Sequence, residues 1–496
     1  MMQSRLPAEL FVLPVSESDY LVYAPLGRAA LIANAALVRF LRGLGTGATS
    51  VDADPESASF LRNCGILDAR EESRPDRSPE GPPRPATATL LLTNACNLRC
   101  RYCYAAAGEK PPEFMRIETA RRAIDFVAAN AAAAGARRFQ VDFHGAGEPT
   151  VHWRLLEEAH AYARGVAHSR GLELHSSLTT NGVLTPGKRA WIVTHLNSAN
   201  VSFDGLPEVQ DVNRRFPSGR GSSDIVLGTL RAFDRAGFRY SIRMTVTSEA
   251  ATRLAQSVAF LCRRFRPRGI QVEPLYRMGR GRDAANAETE VFIEAYRAAR
   301  RTSAKASGRL RFSGARFPTV TNRFCGVAND NFCVSPAGNI SACHEVADER
   351  QPWAERFFYG RPSAGVSGFS FDEPVYTALR AHTIGRLEYC DGCFAKWSCA
   401  GDCHHKALHW DAAEFAGAGR CDVIRALTRD QILERIAASG GVFWNGAGRG
   451  QAIAARRPEG NPCCDAKTSL YGSVSAMRLL ESITARRERA GHEEAI

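Results

Sequence analysis

Three closely spaced cysteines are the residues of this chain with the most distinctive chemistry. Cys96, Cys100 and Cys103 form a C-x3-C-x2-C run, and Tyr102 precedes the last of them. Three thiolates at this spacing can hold three irons of a [4Fe–4S] cluster and leave the fourth iron open to another ligand. A zinc loop is the alternative, because cysteine triplets also occur in zinc ribbons. The apolar residues 88–92 place the run after a strand, where α/β barrels carry their chemistry.

A glycine-rich segment follows, one predicted helix and one predicted strand further along. Residues 118–134 have the pattern of an amphipathic helix and residues 138–143 that of a strand, with Gly145, Gly147 and Glu148 directly after it. Glycines let the backbone approach a ligand closely, and a glutamate can accept hydrogen bonds from an ammonium group. This order of elements favours a binding site over an ordinary turn.

Later strands also end beside polar residues. Residues 178–183 and 199–205 are short β-prone runs with Asn-Gly and Asp-Gly turn signals, and they carry Asn181 and Ser202. The next predicted strand carries Arg243, a side chain suited to bidentate binding of a carboxylate. An exposed charge on a strand is the alternative interpretation of this arginine.

Strands alternate with helical runs from residue 88 to about residue 310, and residues 270–275 form the last predicted strand. Such alternation is typical of parallel sheets with helical crossovers. We therefore predict an α/β fold whose core is a partial (β/α)6 barrel.

A second block of cysteines follows the predicted barrel. Cys325, Gly338 and Cys343 form a C-x12-G-x4-C pattern. The remaining members of the block, at C-x2-C-x5-C-x3-C spacing and then seventeen residues on, are Cys390, Cys393, Cys399, Cys403 and Cys421. A structural zinc site at the first four of these is the alternative to iron–sulfur ligation.

Together, these motifs resemble the radical S-adenosylmethionine (SAM) superfamily, with a C-terminal SPASM domain of the kind found in peptide and protein maturases. The resemblance implies three [4Fe–4S] clusters, one that binds SAM and two auxiliary ones. It also implies reductive cleavage of SAM to a 5′-deoxyadenosyl radical, which takes a hydrogen atom from the substrate. The required electron would come from a donor such as flavodoxin or ferredoxin.

The resemblance assigns roles residue by residue. The glycine-rich segment would bind the methionyl amino group, Ser202 and Arg243 the carboxylate, while Asn181 would lie near the ribose; Ala146 departs from the commonest form of the glycine motif. The full set of residues that would contact SAM is Tyr102, Gly145, Gly147, Glu148, Asn181, Ser202 and Arg243.

The same resemblance implies interleaved ligand sets for the clusters. Besides the SAM-binding cluster on Cys96, Cys100 and Cys103, auxiliary cluster I would be held by Cys325, Cys343 and Cys403, and auxiliary cluster II by Cys390, Cys393, Cys399 and Cys421. Cys333 is placed to complete cluster I, although a small buried thiol is the alternative.

A small module precedes the barrel. Residues 11–14 and 19–24 read as strands, and residues 29–44 and 57–64 as helices. It resembles the winged-helix recognition modules in front of many peptide-modifying SPASM enzymes; a domain that only caps the barrel is the alternative. A proline-rich, charged stretch after it predicts a linker. The predicted segments are the N-terminal module at 1–69, the linker at 70–86, the barrel at 87–310, the SPASM domain at 311–440 and a C-terminal extension without an assigned role at 441–496.

Composition limits the remaining classes of function. The chain has 496 residues, which suits two or three domains, and a net charge of +12. Its basic residues are spread out, so we expect no nucleic-acid partner, and an acidic peptide is favoured. No apolar run suggests a signal peptide or a membrane span, which predicts the cytoplasm. Cys463 and Cys464 receive no role.

Three classes of function fit these patterns. The first is a maturase that modifies a residue of a ribosomally made precursor peptide, by a crosslink or another side-chain change. The second is a sulfatase-maturase-like enzyme that generates formylglycine. That class usually has an acidic base directly after the second cysteine of C-x12-G-x4-C, where this chain has His344, a possible base. The third is a non-enzymatic iron–sulfur or zinc protein, which leaves the SAM-facing motifs unexplained.

Overall fold

The computed structural model describes residues 5–45, 55–68, 78–283, 288–302, 310–365, 368–408 and 419–444. The chain divides into two compact units: Met1–Arg74 with Arg429–Ile496, and Pro75–Thr428. Residues 70–77 of the predicted linker and residues 445–496 of the C-terminal extension, with Cys463 and Cys464, lie outside the described residues. Within the described ranges, no helix is long and apolar enough to cross a membrane.

The elements are numbered in chain order. The strands are β1 (Phe11–Pro14), β2 (Asp19–Ala24), β3 (Ala29–Asn34), β4 (Thr87–Leu91), β5 (Arg99–Cys100), β6 (Arg138–His144), β7 (Glu173–Thr180), β8 (Ser198–Ser202), β9 (Arg214–Arg215), β10 (Tyr240–Val246), β11 (Ile270–Pro274), β12 (Leu310–Arg311), β13 (Cys333–Val334), β14 (Ile340–Ser341), β15 (Phe358–Pro362), β16 (Phe369–Phe371) and β17 (Val442–Trp444). The helices are α1 (Ala35–Gly45), α2 (Pro55–Asn63), α3 (Ile117–Ala133), α4 (Trp153–Arg170), α5 (Pro186–His195), α6 (Pro207–Asn213), α7 (Ser223–Arg235), α8 (Ser248–Ala251), α9 (Leu254–Arg264), α10 (Thr289–Thr302), α11 (Glu373–Arg380), α12 (Lys396–Cys399), α13 (His404–Ala407) and α14 (Arg420–Ala438).

The smaller unit contains an antiparallel sheet in the order β1-β2-β3-β17. Val442 of β17 pairs with Leu31 of β3, so a segment near the C-terminus completes a sheet that begins near the N-terminus. Buried side chains of the sheet and its two helices, including Phe40 and Leu61, form one apolar cluster. The unit therefore has a core of its own.

The prediction of a helix over residues 29–44 is wrong for its first six residues. Residues 29–34 form β3, which pairs with β2 along its length, and α1 begins only at Ala35. The Asn34 side chain accepts a hydrogen bond from the Leu37 amide at 2.9 Å, as an N-terminal cap does. Strand pairing in the folded unit thus overrides the helical preference of an alanine- and leucine-rich run.

The larger unit is built on parallel strands in the order β4-β6-β7-β8-β10-β11, with β12 beside β11. Apart from the two-residue strands β5 and β9, which pair with each other, successive strands of this part of the chain are neighbours, and helices occupy the connections between them. This topology confirms the predicted α/β fold with a partial (β/α)6 barrel. The same sheet continues on the other side of β4 through β13 to β16, so the cysteine-rich region extends the barrel sheet.

Candidate functional site

The cysteine loop follows β4 and is held in shape by two arginines. Arg99 donates to the carbonyls of Cys96 at 2.8 Å and Gly108 at 3.1 Å. Arg280, from the segment after β11, donates to the carbonyls of Cys100 at 2.8 Å and Ala107 at 2.7 Å. Each guanidinium donates to carbonyls in two separate parts of the loop. Side-chain hydrogen bonds, rather than a long series of backbone hydrogen bonds, therefore hold the loop in its conformation.

The thiols of this loop are buried enough to suit metal ligation. Burial raises the pKa of Cys96 to about 12, with the nearby Glu148 carboxylate adding to the effect. Burial likewise raises the pKa of Cys100 to about 11. Such thiols become thiolates at neutral pH only beside a strong cationic centre, and iron is one. The donor set therefore fits an iron–sulfur cluster.

The glycine-rich turn is fitted directly against the cysteine loop. The Gly147 amide donates to the Thr93 carbonyl at 3.0 Å, and the Glu148 amide to the Ala95 carbonyl at 2.8 Å. A Cβ atom at Gly147 would lie 2.1 Å from the Ala95 carbonyl oxygen, so only glycine fits there. Glu148 is buried, and its carboxylate accepts from the Asn181 amide at 2.6 Å. The two motifs are thus one packed structure.

A cavity of about 180 Å³ lies where these motifs meet the barrel strands. It brings together all the residues predicted from the sequence to hold the first cluster or SAM, which come from five separate segments. Those residues are Cys96, Cys100, Tyr102, Cys103, Gly145, Gly147, Glu148, Asn181, Ser202 and Arg243, and the predicted base His344 lines the same cavity. Their individual roles remain predictions, but their convergence in space is a property of the fold.

Arg214 is a cavity residue that the sequence did not reveal. It is buried, its Nε atom lies 3.2 Å from Asp204 Oδ2, and its guanidinium carbon lies 5.1 Å from the centre of the Tyr102 ring. The Tyr102 hydroxyl also donates to Asp204. Asp204 and Tyr102 belong to recognised motifs, but Arg214 follows a short helix with no pattern to mark it.

A second group of residues that the sequence left unassigned lies around the predicted base, His344. Its ring is tilted by 46° against that of His144 with 4.5 Å between centres, and burial lowers the pKa of both rings, so both are neutral at pH 7. Glu345 and Lys406 also line the cavity, 3.9 Å apart. Burial opposes ionisation of Glu345, but Lys406 and a hydrogen bond from His405 hold its pKa well below the usual range. The cavity therefore contains a carboxylate beside the predicted base.

The downstream cysteines lie outside this cavity and form two groups. Burial raises the pKa of Cys399 most, and the Asp402 carboxylate and the thiolates of Cys393, Cys390 and Cys421 raise it further. Cys343 is affected in the same way by Cys403, and Cys403 by Cys325. The two predicted ligand sets stay a prediction.

Cys333 is buried in β13, where it pairs in register with Thr89 of β4 and accepts a hydrogen bond from Asn331 at 3.2 Å. It also packs against Leu91 and Ala347. Its part in cluster I remains a prediction. Among the described residues, no three His, Cys, Asp or Glu side chains are arranged around a position for a single metal ion.

Residues 90–250 match the sequence model of the Radical SAM superfamily. The chain is 28% identical over 173 residues to an uncharacterized protein of Methanocaldococcus jannaschii, a match that covers 35% of this chain and 57% of that one. It is 24% identical over 176 residues to the sporulation killing factor maturation protein SkfB of Bacillus subtilis, covering 35% and 39%. The chain thus spans less than two thirds of the length of either relative.

The fold is similar to that of native anSMEcpe solved with bound AdoMet. The TM-score is 0.56 at 15% sequence identity, over 70% of this chain and 98% of that one. A likeness at this level of identity concerns the fold alone, whereas the sequence match covers the cysteine loop, the glycine-rich turn and the strands that carry Ser202 and Arg243. Residues 90–250 of this chain are therefore a domain of the radical SAM superfamily.

Proposed function

We propose that this protein is a radical SAM enzyme with a SPASM domain, and that it modifies a residue of a ribosomally made precursor peptide. One observation carries the proposal: the ten residues predicted from the sequence to hold the first cluster or SAM line one cavity. The matched relative SkfB is a maturation protein, which supports a peptide substrate.

Different residues of the chain would bind different groups of SAM. A cluster on Cys96, Cys100 and Cys103 would supply the electron for reductive cleavage of SAM to a 5′-deoxyadenosyl radical. Glu148 would accept hydrogen bonds from the methionyl ammonium, and Arg243 would bind the carboxylate. The packed Gly147 turn holds Glu148 beside the cysteine loop, and Arg243 is carried by β10, so each of these side chains is attached to regular or tightly packed backbone.

His344 and Glu345 would act on the substrate side of the cavity. The sulfatase-maturase-like alternative needs a base near the substrate thiol or hydroxyl. The residue directly after Cys343 is a histidine here, but Glu345 lies in the cavity one position later. This carboxylate is the one observation that keeps formylglycine formation as the second candidate.

The remaining parts of the proposal concern partners and organisation. Two auxiliary clusters on the downstream cysteines, an electron donor such as flavodoxin or ferredoxin, and a cytoplasmic location follow from the family resemblance. The domain limits at residues 69, 86, 310 and 440 are proposed on the sequence pattern. The small N-terminal sheet with its own apolar core supports a separate module that docks the precursor peptide.

Anaerobic reconstitution tests the central claim. We expect about 12 irons per chain, and loss of about four in the triple variant Cys96→Ala, Cys100→Ala, Cys103→Ala. The triple variant should not cleave SAM in the presence of dithionite, which chromatography of 5′-deoxyadenosine would measure. Cys64→Ala, which removes a buried thiol of the smaller unit, is the matched control. SAM cleavage by the triple variant would refute the proposal, and bound zinc in place of iron would favour the zinc alternative.

A further inference from the structure

Arg316 makes contacts in two loops that carry different cysteine groups. Its guanidinium donates to the Phe324 carbonyl at 2.7 Å, directly before Cys325 of the proposed cluster I set. It also donates to the Ser398 carbonyl at 2.9 Å and to the Cys399 carbonyl at 2.7 Å, in the proposed cluster II set. One side chain therefore spans the two sets of ligands.

The positive charge of Arg316 belongs to no ion pair among the described residues, and its hydrogen bonds go only to backbone carbonyls. Burial lowers its pKa, and the thiolates of Cys399 and Cys325, followed by the Asp402 carboxylate, oppose this effect. An arginine remains charged in proteins, and because Asp402 is already paired with Arg420, the two cysteine groups are the main negative surroundings of Arg316.

A second contact holds the same loops together. Asp402, directly before Cys403, forms a two-point ion pair with Arg420, directly before Cys421, and the Oδ1 to Nη2 distance is 2.9 Å. Both side chains are buried. Arg420 also lies 3.5 Å from the Glu273 carboxylate, so this group of side chains adds no positive charge between the loops, whereas Arg316 does.

We propose that Arg316 is a positioning residue that supplies one cationic charge shared by the two auxiliary clusters. The inference depends on the proposed ligand sets. A cluster held by thiolates is anionic, and it gains a further negative charge when reduced. A fixed cation between two such clusters stabilises the reduced form of each, so it raises both reduction potentials.

Redox titration of the full-length, reconstituted protein tests the inference, with electron paramagnetic resonance as the detector. Arg316→Gln removes the charge and keeps a hydrogen-bonding amide, while Arg316→Lys keeps the charge and loses the three-carbonyl fork. Arg189→Gln is the matched control, because Arg189 is also partly buried, forms no ion pair in the described part of the chain and donates to the Ile225 carbonyl at 2.9 Å, but lies in the barrel. Iron per chain is measured for every variant.

In Arg316→Gln we expect about a tenfold shift of the reduction equilibrium of both auxiliary clusters toward the oxidised form, which is about 59 mV for one electron. The SAM-binding cluster should not shift, and Arg316→Lys and Arg189→Gln should resemble the parent. Loss of about eight irons in Arg316→Gln alone would support the same role. Unchanged potentials with full iron content in Arg316→Gln would overturn the inference, and so would equal iron loss in the glutamine and lysine variants. A parent protein with only about four irons would instead refute the ligand sets.

Discussion

Two arginines face the candidate SAM cavity, and their partners distinguish them. Arg214 is already close to the Asp204 carboxylate. Arg243 lies in the middle of β10 and forms no ion pair with a carboxylate among the residues that the structure describes. Its charge is therefore available to a ligand, which makes Arg243 the better candidate for the SAM carboxylate.

We expect Arg243→Ala to weaken SAM binding by about 1.5–3 kcal/mol, as for the loss of a hydrogen bond to a charged group. Equilibrium binding of SAM to the reconstituted protein measures this. Arg239→Ala, which removes an exposed arginine just before the same strand, is the control. Iron content should be unchanged in both variants, and unaltered SAM affinity in folded Arg243→Ala would show that the assignment is wrong.

At the scale of elements, the site depends on one turn packed against one loop. The turn after β6 approaches the cysteine loop so closely that Gly147 has no room for a side chain. We expect Gly147→Ala to displace the loop, and so to lower both the iron bound near Cys96 and the rate of SAM cleavage.

Iron analysis and 5′-deoxyadenosine formation measure this effect. Gly165→Ala is the control, because no atom lies within 4 Å of a Cβ atom at that position in α4. Normal cluster content and cleavage in Gly147→Ala would contradict the packing argument.

The sequence was sufficient to predict the local features of the site. The cysteine loop and the glycine turn are local, so their spacing was enough to identify them. Arg214, Glu345 and Lys406 come to the cavity through the folding of distant segments, and no local pattern marks them. The helix predicted from residue 29 failed for the related reason that pairing of β3 with β2 depends on a neighbouring strand.

At the scale of the whole chain, the two compact units allow a test of the proposal that the smaller unit docks the peptide and the larger unit cleaves SAM. Because β17 belongs to the sheet of the smaller unit, a deletion of residues 1–69 alone would leave that strand without its partner β3. We therefore expect a protein without residues 1–69 and 439–496 to retain SAM cleavage with dithionite, and to lose most turnover of the precursor peptide. Supplying the module in trans should restore part of that turnover.

Iron content and dithionite-dependent SAM cleavage distinguish the outcomes of this deletion. If the truncated protein loses its clusters or its fold, the smaller unit is a structural cap rather than a docking module. The parent protein, assayed at the same iron content, provides the reference.

The pairing of β3 with β17 also has a consequence for biosynthesis. About 400 residues separate the two strands. A ribosome adds about 5–20 residues per second, so the edge of β3 that pairs with β17 stays unpaired for about 20–80 s during synthesis. An open strand edge is a site of unwanted pairing with other chains. The nascent N-terminal sheet is therefore the part of this protein in which a chaperone, or a slower rate of expression, should most improve the yield of soluble chain.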